Sequence, residues 1–162
     1  MVTPDEFKQV MRRWASTVTV ITTKVDDLIY GLTATAFSSL SAEPPEVYVS
    51  INKKTRTHPL IEKSGIFCVN FLTDDMKHVS DRFAGRHPDE ERFKDIGHHV
   101  AATGAPVLDG ALAFLDCKVV RALDAGDHTI FIGEVQASAV QHDDKSPLLY
   151  VNGKYRMLGA EL

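Results

Sequence analysis

The sequence predicts a mainly β (α+β) chain, an antiparallel barrel with peripheral helices, on three observations. Runs rich in β-branched and small residues follow one another in hairpin-like succession, punctuated at Asp26-Asp27, Ala125-Gly126-Asp127 and Asn152-Gly153. Helical patterns are inserted among these runs rather than alternating strictly with them, which argues against a doubly wound α/β sheet. The 162 residues are 44% hydrophobic and 25% charged, the composition of one globular domain, 1–162, with its own core.

Each element has a local reason. Thr3 is a good N-cap, Pro4 suits the first helical position and Glu6 closes a capping box. Phe7, Val10, Met11 and Trp14 then recur at helical spacing as one apolar face. Val18 to Val25 is a strand that ends at Asp26-Asp27, and Ile29 to Leu40 is a second extended run stopped by Glu43-Pro44-Pro45. Val47 to Ile51 is the third. A short helix is expected to begin near Thr57, with Pro59 in its first turn, and to end at Gly65. The strand Ile66 to Leu72 follows, and Thr73 is expected to cap a helix with Asp74 and Asp75 in its first turn. Arg86 to Gly97 is charged and reads as an exposed loop with a helical turn. Beyond Pro106 come two long strands, Ala111 to Leu123 and Thr129 to Val140, then Leu148 to Val151, which turns at Asn152-Gly153 into Lys154 to Leu158.

Composition excludes several function classes. Lys+Arg 18 against Asp+Glu 22 gives a net charge of -4, which argues against a nucleic-acid binder. No apolar run approaches the roughly 20 residues of a membrane span, and the N-terminus lacks the apolar region of a signal peptide. The expectation is a cytoplasmic protein with no membrane contact. Cys68 and Cys117 allow one disulfide by count; two buried free thiols are expected in a reducing compartment. There is no GxGxxG opening a helix, no GxxxxGK[ST] and no GxSxG. The seven histidines form no HExxH or HxxxH pair, so no metal site is expected.

Four stretches carry the candidate chemistry. Gly31-Leu-Thr-Ala-Thr-Ala-Phe-Ser-Ser-Leu-Ser41 is an unusual strand, since cores prefer Val, Ile and Leu. Small side chains let a flat ligand approach the backbone, and hydroxyls supply donors and acceptors. Ser50-Ile-Asn-Lys-Lys-Thr-Arg-Thr57 then leaves a strand for a short helix, combining cations, hydroxyls and free amides where a phosphate could sit. The same residues also describe an edge strand followed by a solvated basic turn. In Gly126-Asp-His-Thr-Ile-Phe-Ile-Gly-Glu-Val135, His128 follows a turn and could hydrogen-bond a ligand, or be merely exposed beside a turn capped by Asp127. In Asp81-Arg-Phe-Ala-Gly-Arg86, Gly85 can terminate a helix, Phe83 could stack on an aromatic ring and the arginines could meet an anion.

In this order, and with Pro44-Pro45 between the first two, these motifs resemble the short-chain flavin reductase family, over nearly the whole chain from the Phe7 helix to Tyr155-Arg156. The resemblance implies an FMN-binding split β-barrel and an NAD(P)H-dependent flavin reductase that supplies reduced flavin to a two-component monooxygenase. It places flavin, FMN or FAD, against Thr33, Ala34, Thr35 and Ser39, with Ser50 and Ile51 on the neighbouring strand. It puts Lys53, Thr55 and Thr57 near the phosphate or ribityl chain, and Phe83 and Gly85 against the nicotinamide cofactor or the adenine end. His128 would orient the nicotinamide and Tyr155 would lie close to the dinucleotide. The chain departs from the pattern at Thr35, where many members carry Asn. Members form homodimers with flavin sites at the subunit interface, so a homodimer and a monooxygenase partner are implied, with NADH as reductant and NADPH as the alternative. A flavin-retaining split-barrel oxidase, a non-catalytic flavin- or haem-binding barrel and a plain scaffold barrel are the competing readings. Hydride transfer between two cofactors needs no protein acid, base or nucleophile, in keeping with the motifs found.

Overall fold

The computed structural model of the chain describes residues 1–86, 88 and 91–162. Helix α1 spans Pro4–Met11, and its capping box forms as expected: the Thr3 side chain accepts from the Glu6 amide, and Glu6 Oε2 accepts from the Thr3 amide at 2.7 Å. Strands β1 (Ser16–Thr17), β2 (Thr19–Val25), β3 (Leu28–Ala34), β4 (Phe37–Ala42) and β5 (Pro45–Asn52) follow. Next come α2 (Thr57–Ser64), closed by Gly65 at φ 68°, and β6 (Ile66–Phe71). A short α3 (Lys77–Asp81) runs into a π-type turn, Arg82–Arg86. The chain ends with β7 (His98–Val100), β8 (Pro106–Leu108), β9 (Ala113–Ala125), β10 (His128–Val140), β11 (Leu149–Val151) and β12 (Lys154–Arg156).

Seven strands form one antiparallel sheet in the order β3-β2-β6-β9-β10-β5-β4. Its two edges, β3 and β4, are consecutive in the chain, so the sheet curls until they meet at Thr35-Ala36. There the Ser50 amide donates to the Ala36 carbonyl at 3.0 Å. Ile21, Val49, Ile51, Phe67, Val69, Cys117 and Phe131 fill the inside of the curl, with Ile61 of α2 among them. On the other face Val20 of β2 joins a cluster with Val18, Leu72, Val79, Phe83, Leu108 and Leu148, and Cys68 of β6 and Phe114 of β9 join Ala105 and Val107. The central strands are therefore buried on both faces. Hairpin β11-β12 turns at Asn152-Gly153 and joins β1 in a separate three-stranded sheet. It is held by Leu148, which accepts from Val18 and donates to Leu72, each at 2.8 Å.

The second extended run is two strands rather than one: it breaks at Thr35-Ala36, where the curl closes. Thr73 caps no helix, since α3 begins at Lys77 after Met76 and the Thr73 hydroxyl bonds Asp75 instead. The expected loop 86–97 is not wholly exposed: Arg92 is buried, bonding the Gly31 and Phe83 carbonyls at 3.0 and 2.9 Å. His87, Asp89 and Glu90 of that stretch lie outside the described residues. The β7-β8 pair was not foreseen. Both cysteines are buried and free, and burial pushes the Cys117 thiol up to about 12. No helix among the described residues is long and apolar enough to cross a membrane.

Candidate functional site

Where β3 ends, a pocket of about 230 Å³ opens against Thr33, Ala34 and Thr35. Its other walls are Val18, Ser80, Ala84, Arg86 and the rings of Tyr150 and Tyr155. A second cleft, about 590 Å³, shares Thr35 and Tyr150 with it and extends along Lys8, Arg12, Trp14 and Asn152.

The small-residue wall is built rigidly. The Thr33 hydroxyl donates to the Ser80 carbonyl at 2.7 Å, tying β3 to α3. Gly31 is required by close approach: a Cβ there would stand 3.0 Å from the Ile21 carbonyl and 3.1 Å from the Phe83 ring. Two motifs far apart in sequence, Gly31–Ser41 and Asp81–Arg86, therefore meet directly. The opposite wall is the terminal hairpin. A two-residue turn at Asn152-Gly153 sets Tyr150 opposite Tyr155, and their rings meet edge-on with centroids 5.3 Å apart. The Tyr155 phenol bonds Ser80 Oγ at 2.8 Å and Asp81 Oδ1 at 3.1 Å. Burial, with the Asp81 carboxylate adding to it, pushes that phenol above its ordinary value. Lys77 first, then Tyr155 and Arg86, hold the Asp81 carboxyl below the usual range.

The second seam of the site runs along β5. Ser50 sits beside the Thr35-Ala36 break, and Asn52 pairs with His128 at the start of β10. His128 Nδ1 bonds Asp127 Oδ1 at 2.8 Å, which leaves Nε2 as the ring nitrogen for a ligand. That bond lowers the Asp127 carboxyl.

The structure thus brings Thr33, Ala34, Thr35 and Tyr155 into one pocket and sets Ser50 and His128 along the adjoining seam. Other expected contacts are placed differently. Ile51 is fully buried in the core and presents no surface to a ligand. Phe83 is equally buried, packed on Gly31 and edge-on to Phe93 at 5.0 Å, so its ring supports the wall instead of stacking on a ligand. Thr57 is buried, and its Oγ1 has no hydrogen-bond partner among the described residues, so that hydroxyl is not on the surface where a phosphate would dock. The Lys53 ammonium is taken up by Asp124 and the Gly126 carbonyl, clasping the β9-β10 turn. Thr55 Oγ1 donates to the Asn52 carbonyl and closes its own turn. Ser39 is exposed on β4 opposite Val47, and Gly85 adopts φ 79° in the π-type turn.

Ser80, Ala84 and Tyr150 were missed as wall residues, and so was Asp81 as the anchor of Tyr155. For Tyr150 a signal existed, because the Asn152-Gly153 turn fixes its register against Tyr155. Nothing in the sequence said which side of α3 faces β3.

The flavin reductase like domain model matches residues 11–159. The chain belongs to the flavin reductase family. It is 39% identical to the reductase subunit HsaB of a flavin-dependent monooxygenase from Mycobacterium tuberculosis, over 95% of this chain and 82% of that protein. A Rhodococcus NADH-dependent flavin reductase is 38% identical, over 97% of this chain and 88% of its own length. Among solved structures, the flavin reductase PheA2 superposes with a TM-score of 0.90 at 38% identity, covering 98% of this chain and all of that one. The flavin reductase fold accounts for the curled sheet and for the placing of the terminal hairpin beside β3.

Proposed function

We infer that this chain is an NADH-dependent flavin reductase that reduces FMN or FAD and passes the reduced flavin to a partner monooxygenase. The observation that carries the reading is the pocket at the end of β3. Its wall of Thr33, Ala34 and Thr35 is free of bulky side chains and rigidly backed by Ser80 and Phe83, and it faces two tyrosine rings and the Arg86 guanidinium. The small-residue wall fits a planar ring, because it lets the ring approach the backbone, and the Arg86 guanidinium suits a phosphate of the dinucleotide that meets that ring. The bound flavin supplies the hydride-accepting chemistry.

The protein's own part is positional. Thr33 spends its hydroxyl proton on the Ser80 carbonyl, so the wall is preorganised. His128, oriented by Asp127, offers Nε2 toward the nicotinamide. Tyr155 closes the dinucleotide side. A homodimer belongs to the same proposal: α1 has no buried residue, and it presents Phe7 at 58% and Val10 at 69% exposure, continuing to Trp14 at 69%. An eight-residue helix is too short to persist alone in water, so a second copy covers this face.

The test is aerobic NADH oxidation by purified protein with no flavin, with FMN and with FAD. Turnover that requires added flavin and saturates with it is the expected result. Tightly retained flavin without NADH turnover would instead make the chain an oxidase or a sensor.

A further inference from the structure

We propose that Asp81 is a positioning residue for the nicotinamide dinucleotide, fixing the Tyr155 ring and the Arg86 guanidinium at the open side of the pocket. The inference rests on the reductase reading above. The Asp81 carboxylate is half-buried and accepts three bonds from residues around the pocket. Oδ1 takes Arg86 Nη1 at 2.9 Å and the Tyr155 phenol at 3.1 Å, and Oδ2 takes Lys77 Nζ at 2.7 Å.

These bonds fix the direction of the protons. An ionised carboxylate only accepts, so the phenol must donate to Asp81, and Ser80 Oγ–H must then donate to the phenol. The Ser80 carbonyl already accepts from Thr33. One turn of chain, Ser80-Asp81, thereby locks the small-residue wall and the tyrosine wall in a single relation. Asp81 also governs charge. It partners both Lys77 and Arg86, yet a guanidinium carries more N–H donors than one carboxylate oxygen can engage, which leaves Arg86 equipped to meet a phosphate at the pocket mouth. On the reading above Tyr155 and Arg86 meet the dinucleotide, whereas the Thr33–Thr35 wall is tied through the Ser80 carbonyl and stands without the Asp81 carboxylate. Its loss is therefore felt by the dinucleotide and not by the flavin.

The experiment compares wild type, Asp81→Asn, Asp81→Ala, Tyr155→Phe and the double variant Asp81→Asn/Tyr155→Phe. Calorimetry measures NAD+ binding to FMN-loaded protein and FMN binding to flavin-free protein, and steady-state kinetics supply KM and kcat. Asp81→Asn is expected to weaken NAD+ binding and raise the KM for NADH about tenfold, the scale of one charge-assisted bond. The FMN affinity and kcat should stay within about twofold of wild type. The double variant should lose less than the product of the single losses, because Asp81 acts partly through Tyr155. Asp81→Asn keeps the side-chain volume, so it reports even if Asp81→Ala fails to fold. Unchanged NAD+ binding in Asp81→Asn, FMN affinity falling in step with NAD+, or fully multiplicative losses would each overturn the proposal. A wild type that binds FMN but never oxidises NADH would overturn the reductase reading itself.

Discussion

Gly133 makes the curl of the sheet testable. It lies in β10 beside a register shift and pairs with Val119 on one side and Val47 on the other. Its backbone is not among those with positive φ, so what it supplies is space. A Cβ built there would stand 2.5 Å from Phe67 Cζ, 2.7 Å from Phe67 Cε1 and 2.8 Å from Cys117 Cβ. Carbon atoms in contact prefer about 3.5–4.0 Å, so in Gly133→Ala the ring must retreat by about 1 Å. Phe67 is fully buried among Ile21, Val69 and Phe131, and Cys117 sits on the neighbouring strand, so neither yields cheaply. Overpacking of this kind costs about 1–3 kcal/mol, and two immovable neighbours put Gly133→Ala at the upper end, about 3 kcal/mol. For a domain of this size that lowers Tm by about 6–12 °C. The assay is a thermal melt of four proteins: wild type, Gly133→Ala, Phe67→Leu and the double variant. Leucine lacks the ring atoms that clash, so the double variant should recover at least about 1 kcal/mol of the summed single losses. A Gly133→Ala melt within about 1 °C of wild type would refute the reasoning, as would full additivity of the two changes.

Three further outcomes are expected. Asp116 is fully buried and accepts from the Ala102 and Thr103 amides, each at 2.8 Å, and from the Thr103 hydroxyl. Asp116→Ala leaves those donors unpaired and should cost about 2–4 kcal/mol, read as a lower urea midpoint, with Asp116→Asn falling between it and wild type. For the proposed homodimer, substituting Phe7 and Trp14 together by Ser should raise the dissociation constant at least about tenfold in sedimentation equilibrium; an unchanged constant would remove α1 from the interface. The Asp81 carboxyl lies below its ordinary 3.8 in the folded chain, so its contribution is complete above that pH and is lost as pH falls through the folded value. Tm should fall on acidification below about pH 4, and Asp81→Asn should show a shallower fall than wild type.

Much of the chain was legible where one local signal decided the outcome. The Thr3-Pro4-Glu6 box, the Gly65 stop and the Asn152-Gly153 hairpin each depend on a few adjacent residues, and each forms as read. What escaped was set at a distance. Thr and Ala support a strand equally well on both sides of Thr35-Ala36, and only the closing of the curl, with Ser50 of β5 donating to the Ala36 carbonyl, ends it there. Thr73 had the chemistry of a cap but is drawn into a bridge with Pro147, which delays α3 to Lys77. Phe83 looked like a stacking surface because the sequence gives no sign of Gly31 lying beneath its ring. Lys53 read as a phosphate ligand because Asp124 is 71 residues away in the chain.

The two walls of the pocket differ in how they are held, and that difference bears on exchange of the dinucleotide. The Thr33–Thr35 wall belongs to the large sheet and is backed by Phe83, whose carbonyl Arg92 also ties to that of Gly31. It can move only with the core. The tyrosine wall rests on β12, a three-residue edge strand of a small sheet, held to the rest by the Leu148 bonds and by Tyr155 on Ser80 and Asp81. Segments with few buried contacts and an exposed edge open at lower free energy than core strands. On the proposed assignment one wall fixes the plane of the flavin ring, and the other admits the dinucleotide and lets it go. The Ser80-Asp81 turn joins them, so Tyr155 swings away only when its bonds to that turn break.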